Sequence, residues 1–445
     1  MALKGKSEAR NSKFETVNFR IRACAQRRRD QPDARNRARH FQESLTVGAL
    51  TSGASHGLQA LKITAIETHV VKLPLHDRFG GQIGAPATFP GSDYYFENEW
   101  SEVYSRRVES LWIRIATDDG LVGWGESQAP IIPEAAQTII DRLLGPMLLG
   151  RDPRETDRLY DLMVNSMTVR GHTTGFMLDA IAGLDIALWD IRGQGVGKPV
   201  GEILSAAEKP ARTRLPLYVS GLRAESPEGK GVLAAQYLDQ GYAGVKVFIG
   251  HGVEQDIATA RAIHNAVGGR GRLFADALWS YSVDDALRLG KALEELDFEW
   301  LEAPTTFEDR AAHARITNEL DMAVANGEGL RSVQQFVEWM DSGAMDIVQP
   351  DVARCGITGS HRIATEARKR NLPVAFHVGV CLGIAMAATW QCAAATPHFL
   401  IQEHQPPPFE RSNALFVEPL EIDRGEAVVS MGPGIGVEVD IQALN

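Results

Sequence analysis

The chain has 445 residues, 44% of them hydrophobic, which is ample for a large core and more than one small domain requires. Its formal charge of -11 is uneven: residues 1–60 carry 3 Lys and 9 Arg against 5 acids, or +7, so the remainder holds about -18 and is a poor nucleic-acid binder. No run of about 18 apolar residues offers a membrane span, and Cys24, Cys355, Cys381 and Cys392 lack CxxC spacing and scaffold density, which fits a reducing, cytoplasmic setting.

Residues 1–60, with "RACAQRRRDQPDARNRARH", show neither apolar period nor a signal-peptide h-region and read as a disordered extension. An Arg-rich transit peptide, a mis-assigned start and a nucleic-acid arm are the alternatives. Strand-like patterning begins only at "KITAIETHVVKLPL", and the next methionine after Met1 is Met147. Residues 61–205 are expected to form an α+β capping domain. "KITAIETHVVKLPL" and "SLWIRIATDDGLVGWGES" alternate with period 2, and "TDDG" supplies a turn. Between them "HDRFGGQIGAPATFPGSDYYFENEW" is aperiodic and reads as a lid. Helices are expected near 154–164 and over "FMLDAIAGLDIALWDIRGQ", where Met177, Ile181, Leu184, Leu188 and Ile191 share a face.

From Leu215 a short apolar run followed by an amphipathic helical pattern recurs. The strand candidates are "LPLYVSG", "AGVKVFIG", "RLFADAL", "FEWLEAP", "MAVANGE", "DIVQPDV", "PVAFHVG" and "FLIQEHQ". Such units predict a (β/α)8 barrel over 206–412, with 413–445 returning to the capping domain. A doubly wound open sheet competes, but no GxGxxG turn supports it.

Near the C-terminal ends of those strands stand Lys246, Asp276, Glu302, Glu328, Asp351, His377 and Glu403, separated by 30, 26, 26, 23, 26 and 26 residues. Any one of them is unremarkable where a strand meets solvent. In phase, they converge on the mouth where barrel enzymes keep their chemistry. Crowded carboxylates require a compensating cation. Asp276, Glu302 and Glu328 offer only oxygen, which points to Mg2+, with Mn2+ as a substitute and Zn2+ disfavoured.

"FADALWSY", "WLEAP", "ANGEG", "IVQPDVARCGIT", "FHVG" and "IQEHQ", with the preceding "GLDIALWDIRGQGVGKPVGEIL" and the closing "GPGIGVEVD", resemble the enolase superfamily in its mandelate racemase subgroup over about residues 62–440. The resemblance implies that Asp276, Glu302 and Glu328 ligate Mg2+, which binds the carboxylate of a small-molecule substrate and permits an enediolate to form. It implies that Glu403 is a neutral acid on the other carboxylate oxygen, and that His377 is the base with Asp351 as its partner. His404 is a rival for that role, but its side chain should point to the opposite face from Glu403. A homo-oligomer is the family habit.

Two departures matter. Phe248 stands where a KxK pattern places a second basic lysine, which leaves one base and Lys246 to steady the carboxylate. Leu278 replaces the amide of a "DAN" triplet, so the pocket wall near Trp279 should differ. One base favours dehydration of an acid sugar, an aldonate or aldarate, to a 2-keto-3-deoxy acid. A racemase, epimerase or sugar-lactone cycloisomerase, and a non-catalytic metal-binding paralogue, are the competing readings. The substrate's distal end is expected to meet Arg78, Tyr94, Arg170 and His172, from the lid over 76–100 and from "NSMTVRGHTTG".

Overall fold

The structure, a computed structural model, describes residues 61–74, 87–97, 102–128, 130–205 and 210–443. The expected extension over 1–60, Arg78 and much of the lid lie outside the described residues.

An antiparallel sheet in the order β1 (Ile63–Pro74), β5 (Arg107–Thr117), β6 (Val122–Ser127) opens the capping region. Alternation decides its two faces. Leu111, Ile113 and Ile115 pack on the helix Phe176–Val196, while Trp112 turns to the other side and stacks on Phe416 at 5.9 Å. The predicted stripe of Met177, Ile181, Leu184, Leu188 and Ile191 meets that sheet, and the opposite face, with Ile186 and Trp189, enters the core shared with the barrel. Close passage of strand and helix backbones explains two glycines. A Cβ on Gly125 would lie 1.9 Å from the Gly183 carbonyl oxygen, and one on Gly183 would lie 2.4 Å from Ile113.

The stretch read as an aperiodic lid is partly sheet. β2 (Ala87–Thr88), β3 (Tyr94–Glu97) and β4 (Glu102–Ser105) form a small antiparallel sheet in which Tyr95 opposes Tyr104 and Phe96 opposes Val103. Aromatic and β-branched cross-strand pairs hold it without a longer alternating signal.

The remainder is a (β/α)8 barrel. β7 (Arg214–Ser220), β8 (Gly244–Phe248), β9 (Arg272–Asp276), β10 (Phe298–Glu302), β11 (Ala323–Asn326) and β12 (Ile347–Val348) pair in parallel succession. Parallel bridges from Val348 to Val374 and from Val374 to Phe399, and pairing of β13 (Gln402–His404) with β7, complete the ring. Inside it Tyr218, Phe274, Trp300, Ile347, Ala375 and Ile401 form a plug, with the Phe274 and Trp300 rings stacked. Two residues further along the same strands come Asp276, Glu302, His377 and Glu403. The period that buries the plug therefore carries the polar residues to the mouth. β14 (Ile422–Asp423) and β15 (Glu426–Val428) follow, β15 running antiparallel to β7. The closing segment touches the capping elements too: Gly434 bridges Pro199, and Ile435 N–H donates to Asp190.

Candidate active site

Each functional strand ends abruptly, and the backbone there is unusual. Leu278 and Trp279 (φ 46° and 56°) follow Asp276, Ala303 (φ 45°) follows Glu302, and Gly327 (φ 137°) precedes Glu328. Left-handed non-glycine residues cost about 1–3 kcal/mol each and persist where surrounding contacts dictate them. Leu278 N–H donates to Asp276 Oδ1 at 3.1 Å, so the strained turn fixes one carboxylate oxygen and leaves the other for the mouth.

All seven strand-end residues come together. Lys246 Nζ lies 2.7 Å from Glu302, 3.0 Å from Glu403 and 3.1 Å from Asp276, with 1% of its side chain exposed. Burial alone would lower this ammonium's pKa. The charges of Glu302 and Glu403 outweigh burial and raise it well above the ordinary value. His377 bridges two carboxylates, Nδ1 at 2.8 Å from Asp351 Oδ2 and Nε2 at 2.7 Å from Glu328 Oε2. Burial disfavours its charged form, but the Glu328 charge and the bonds to both carboxylates raise its pKa well above that of free imidazole. Glu328 answers in kind: burial opposes its ionisation, yet His377 draws it down to about 2. Glu403 also accepts Val378 N–H at 3.0 Å.

Asp276, Glu302 and Glu328 each present an oxygen, all within 4.8 Å of one another, and all three are buried. Burial, with the crowding of like charges, pushes Asp276 up to about 6 and Glu302 up to about 8 although Lys246 opposes both. Five carboxylates here face three cationic side chains, Lys246, His377 and Arg354, and the excess negative charge suits a dication. The donor set is hard oxygen throughout, so the residues fit Mg2+.

The second-base position holds Phe248, on the same strand face as Lys246, whose Nζ lies 5.9 Å from the ring centre. His404 points outward, stacked on Tyr242 at 5.7 Å and edge-on to Phe409, and burial pushes it down to about 3. Tyr94 is engaged within the capping region: its hydroxyl donates to Glu109 Oε2 and accepts from Ile132 N–H, both at 3.1 Å. Arg170 and His172 are exposed after the helix Thr156–Thr168, with no side-chain hydrogen bond or ion pair among the described residues.

Several neighbours escaped the sequence reading. Arg354 donates to the Glu328 carbonyl oxygen and to Gln128 of the capping region, and lies 4.0 Å from Asp351. Its i+3 spacing from Asp351 on a helix was the available signal. Glu102 and Tyr104, on β4, share a 3.1 Å hydrogen bond. Loss of solvent in the cleft, with the Glu328 charge adding to it, raises the Glu102 carboxyl although its side chain still reaches solvent.

Comparison with known proteins agrees with this geometry. The model described as "Enolase C-terminal domain-like" matches residues 231–443, and that described as "Mandelate racemase / muconate lactonizing enzyme, N-terminal domain" matches 105–205. The chain is 31% identical over 396 residues to the D-galactarolactone cycloisomerase of Agrobacterium fabrum, covering 86% of this chain and 98% of that protein. It is 32% identical over 341 residues to the arabinonate dehydratase of Saccharolobus solfataricus, covering 75% and 88%. A crystal structure of an enolase superfamily member from Agrobacterium tumefaciens matches with a TM-score of 0.82 at 29% identity, over 86% of this chain and 98% of that one. The chain therefore belongs to the mandelate racemase/muconate lactonizing enzyme family of the enolase superfamily.

Proposed function

We propose that this protein removes the proton α to the carboxylate of an acid sugar and expels the β-hydroxyl as water, giving a 2-keto-3-deoxy acid. The observation that carries the reading is the pairing of one histidine–aspartate base with an apolar residue, Phe248, at the place of a second base. Mg2+ held by Asp276, Glu302 and Glu328 would stabilise the charge that develops on the substrate carboxylate and would relieve His377 of its bond to Glu328.

The chain's own residues do the rest. Asp351, at 2.8 Å, holds the proton on Nδ1 of His377 and so directs the Nε2 lone pair toward the substrate. Nε2 takes the α-proton, then returns a proton to the departing β-oxygen on the same face. The carbon–oxygen bond breaks, water leaves, and the enol formed tautomerises to the 2-keto acid. Lys246 and Glu403, 3.0 Å apart, flank the carboxylate end and orient it. A base on each face, as 1,1-proton transfer requires, is not supplied by Phe248.

A second reading is lactone ring opening by the same single-base elimination, favoured by the similarity to a D-galactarolactone cycloisomerase. A panel of aldonic acids, aldaric acids and their lactones, incubated with the Mg2+-loaded protein in D2O, separates the readings. Dehydration yields a semicarbazide-reactive keto acid with loss of water. Isomerisation without water loss would overturn dehydration, and the absence of both keto-acid product and deuterium at C2 or C3 of any compound would indicate the non-catalytic paralogue.

A further inference from the structure

The loop Val378–Leu382, which follows the base, is tied down by three carboxylates. Glu403 accepts Val378 N–H at 3.0 Å, Asp351 accepts Gly379 N–H at 3.3 Å, and Glu126 accepts Leu382 N–H at 2.5 Å. The first two belong to the strand-end cluster. Glu126 comes from β6, 256 residues away in sequence.

Its role follows from the helix that the loop enters. The helix Gly383–Ala395 begins at Leu382, an N-cap residue with no side-chain acceptor of its own. Helix starts leave backbone N–H groups unpaired, normally for a Ser, Thr, Asp or Asn at that position. Glu126 supplies the missing acceptor across the interface: Oε1 takes Leu382 N–H, and Oε2 takes Ala385 N–H at 2.8 Å. Ser110 Oγ donates to the same carboxylate at 2.7 Å, and Glu126 is fully buried.

Buried carboxylates of the capping region also engage the two preceding units, one through a side chain and one through the backbone. Asp179, on the helix Phe176–Val196, binds Arg331 at 2.7 Å, three residues after Glu328. Asp185, six residues further along that helix, accepts Thr358 N–H and Oγ1–H, both at 2.8 Å. Thr358 restarts the helix Val352–Lys369 beyond a break at Gly356, downstream of Asp351. The capping region therefore holds the chain within three to seven residues after each of Glu328, Asp351 and His377, with a buried carboxylate every time.

We propose that Glu126 is a positioning residue for His377: a helix cap supplied from the other domain, which holds the loop so that Gly379 and Asp351 keep the imidazole aimed at the substrate. The inference rests on the reading of His377 as the base. It makes the capping region part of the catalytic frame as well as a cover over it.

Glu126→Gln tests this in the full-length, Mg2+-loaded protein, since an amide offers one acceptor where the carboxylate offers two. Loss of one tether should displace the base by a fraction of an ångström to about 1 Å, lowering kcat for α-proton exchange about 100-fold. KM and calorimetric Mg2+ affinity should stay within about threefold, because none of the three ligand side chains touches Glu126. The ring 15N shifts of His377, assigned with His377→Asn, should lose the Nδ1-protonated pattern of the parent. Should Glu126→Gln not fold, Ser110→Ala, which removes a single bond to the same carboxylate, should show the His377 shift change with a severalfold fall in kcat. Parental His377 shifts and kcat in a folded variant would overturn the proposal, as would parallel losses in kcat, KM, Mg2+ affinity and Tm. If His377→Asn retains exchange, the reading of the base fails instead, and the 15N shifts of the Glu126 variant still decide whether the carboxylate positions that ring.

Discussion

Replacing Lys246 with methionine isolates the electrostatics of the site, because the side chain keeps nearly the same volume and loses only its charge. In the parent the ammonium touches Glu302, Glu403 and Asp276 within 3.1 Å and has 1% of its side chain exposed. Removing one partner from a buried ion pair typically costs about 3–5 kcal/mol, while a volume-conserving swap by itself costs under about 1.5 kcal/mol. The lower end applies here, since Glu302, pushed up to about 8 by burial, can accept a proton and limit the loss. With roughly 1 °C per kcal/mol for a protein of this size, Lys246→Met should melt about 3–4 °C below the parent in EDTA. Added Mg2+ should then stabilise the variant more than the parent, because the dication enters a site with one positive charge fewer. A gain of about tenfold in Mg2+ affinity corresponds to about 1.4 kcal/mol. Scanning calorimetry in EDTA and across a Mg2+ titration reads both effects. Equal melting temperatures in EDTA, or identical Mg2+-induced shifts, would refute the reasoning that Lys246 balances the carboxylates.

Other consequences follow from the same geometry. His377→Asn should abolish α-proton exchange by about 100- to 10,000-fold, the usual worth of a general base, with Mg2+ affinity retained; Phe248→Leu, removing no proton carrier, should keep exchange within about tenfold, and the NMR exchange assay in D2O would contradict both roles if the order were reversed. His404→Phe should leave kcat intact. The folded pKa of His404, about 3, lies below its unfolded value, so its contribution to stability is present above about 6.5 and lost as pH falls toward 3; melts at pH 4 should show the variant more acid-resistant than the parent. Asp185 has the opposite sign. Burial pushes its pKa up to about 7 against the bonds from Thr358, so its contribution is full below about 4 and disappears as pH rises through 7. Asp185→Asn should therefore flatten the fall in melting temperature between pH 5 and pH 8, and an unchanged slope would count against a buried, proton-accepting carboxylate there.

The sequence alone determined the barrel and its mouth. Buried parallel strands are short apolar runs, and a period of two carries every inward residue from the plug to the rim, so Phe274 announces Asp276 and Trp300 announces Glu302. The regular spacing of Lys246 through Glu403 was legible for that reason, as was the outward aim of His404. The short sheet of β2, β3 and β4 was hidden, because pairs such as Tyr95 with Tyr104 act across strands and leave no long alternation along the chain. Glu126 was hidden for a related reason. A charged residue in "VGWGES" is visible as an anomaly, but its partners, Leu382 and Ala385, lie more than 250 residues away, and a missing cap on an apolar helix start names no donor of the cap. Local periodicity decided which side chains face the mouth. Only tertiary packing could decide which carboxylates hold one another's backbones in place, because a buried N–H must find its acceptor wherever the fold brings one.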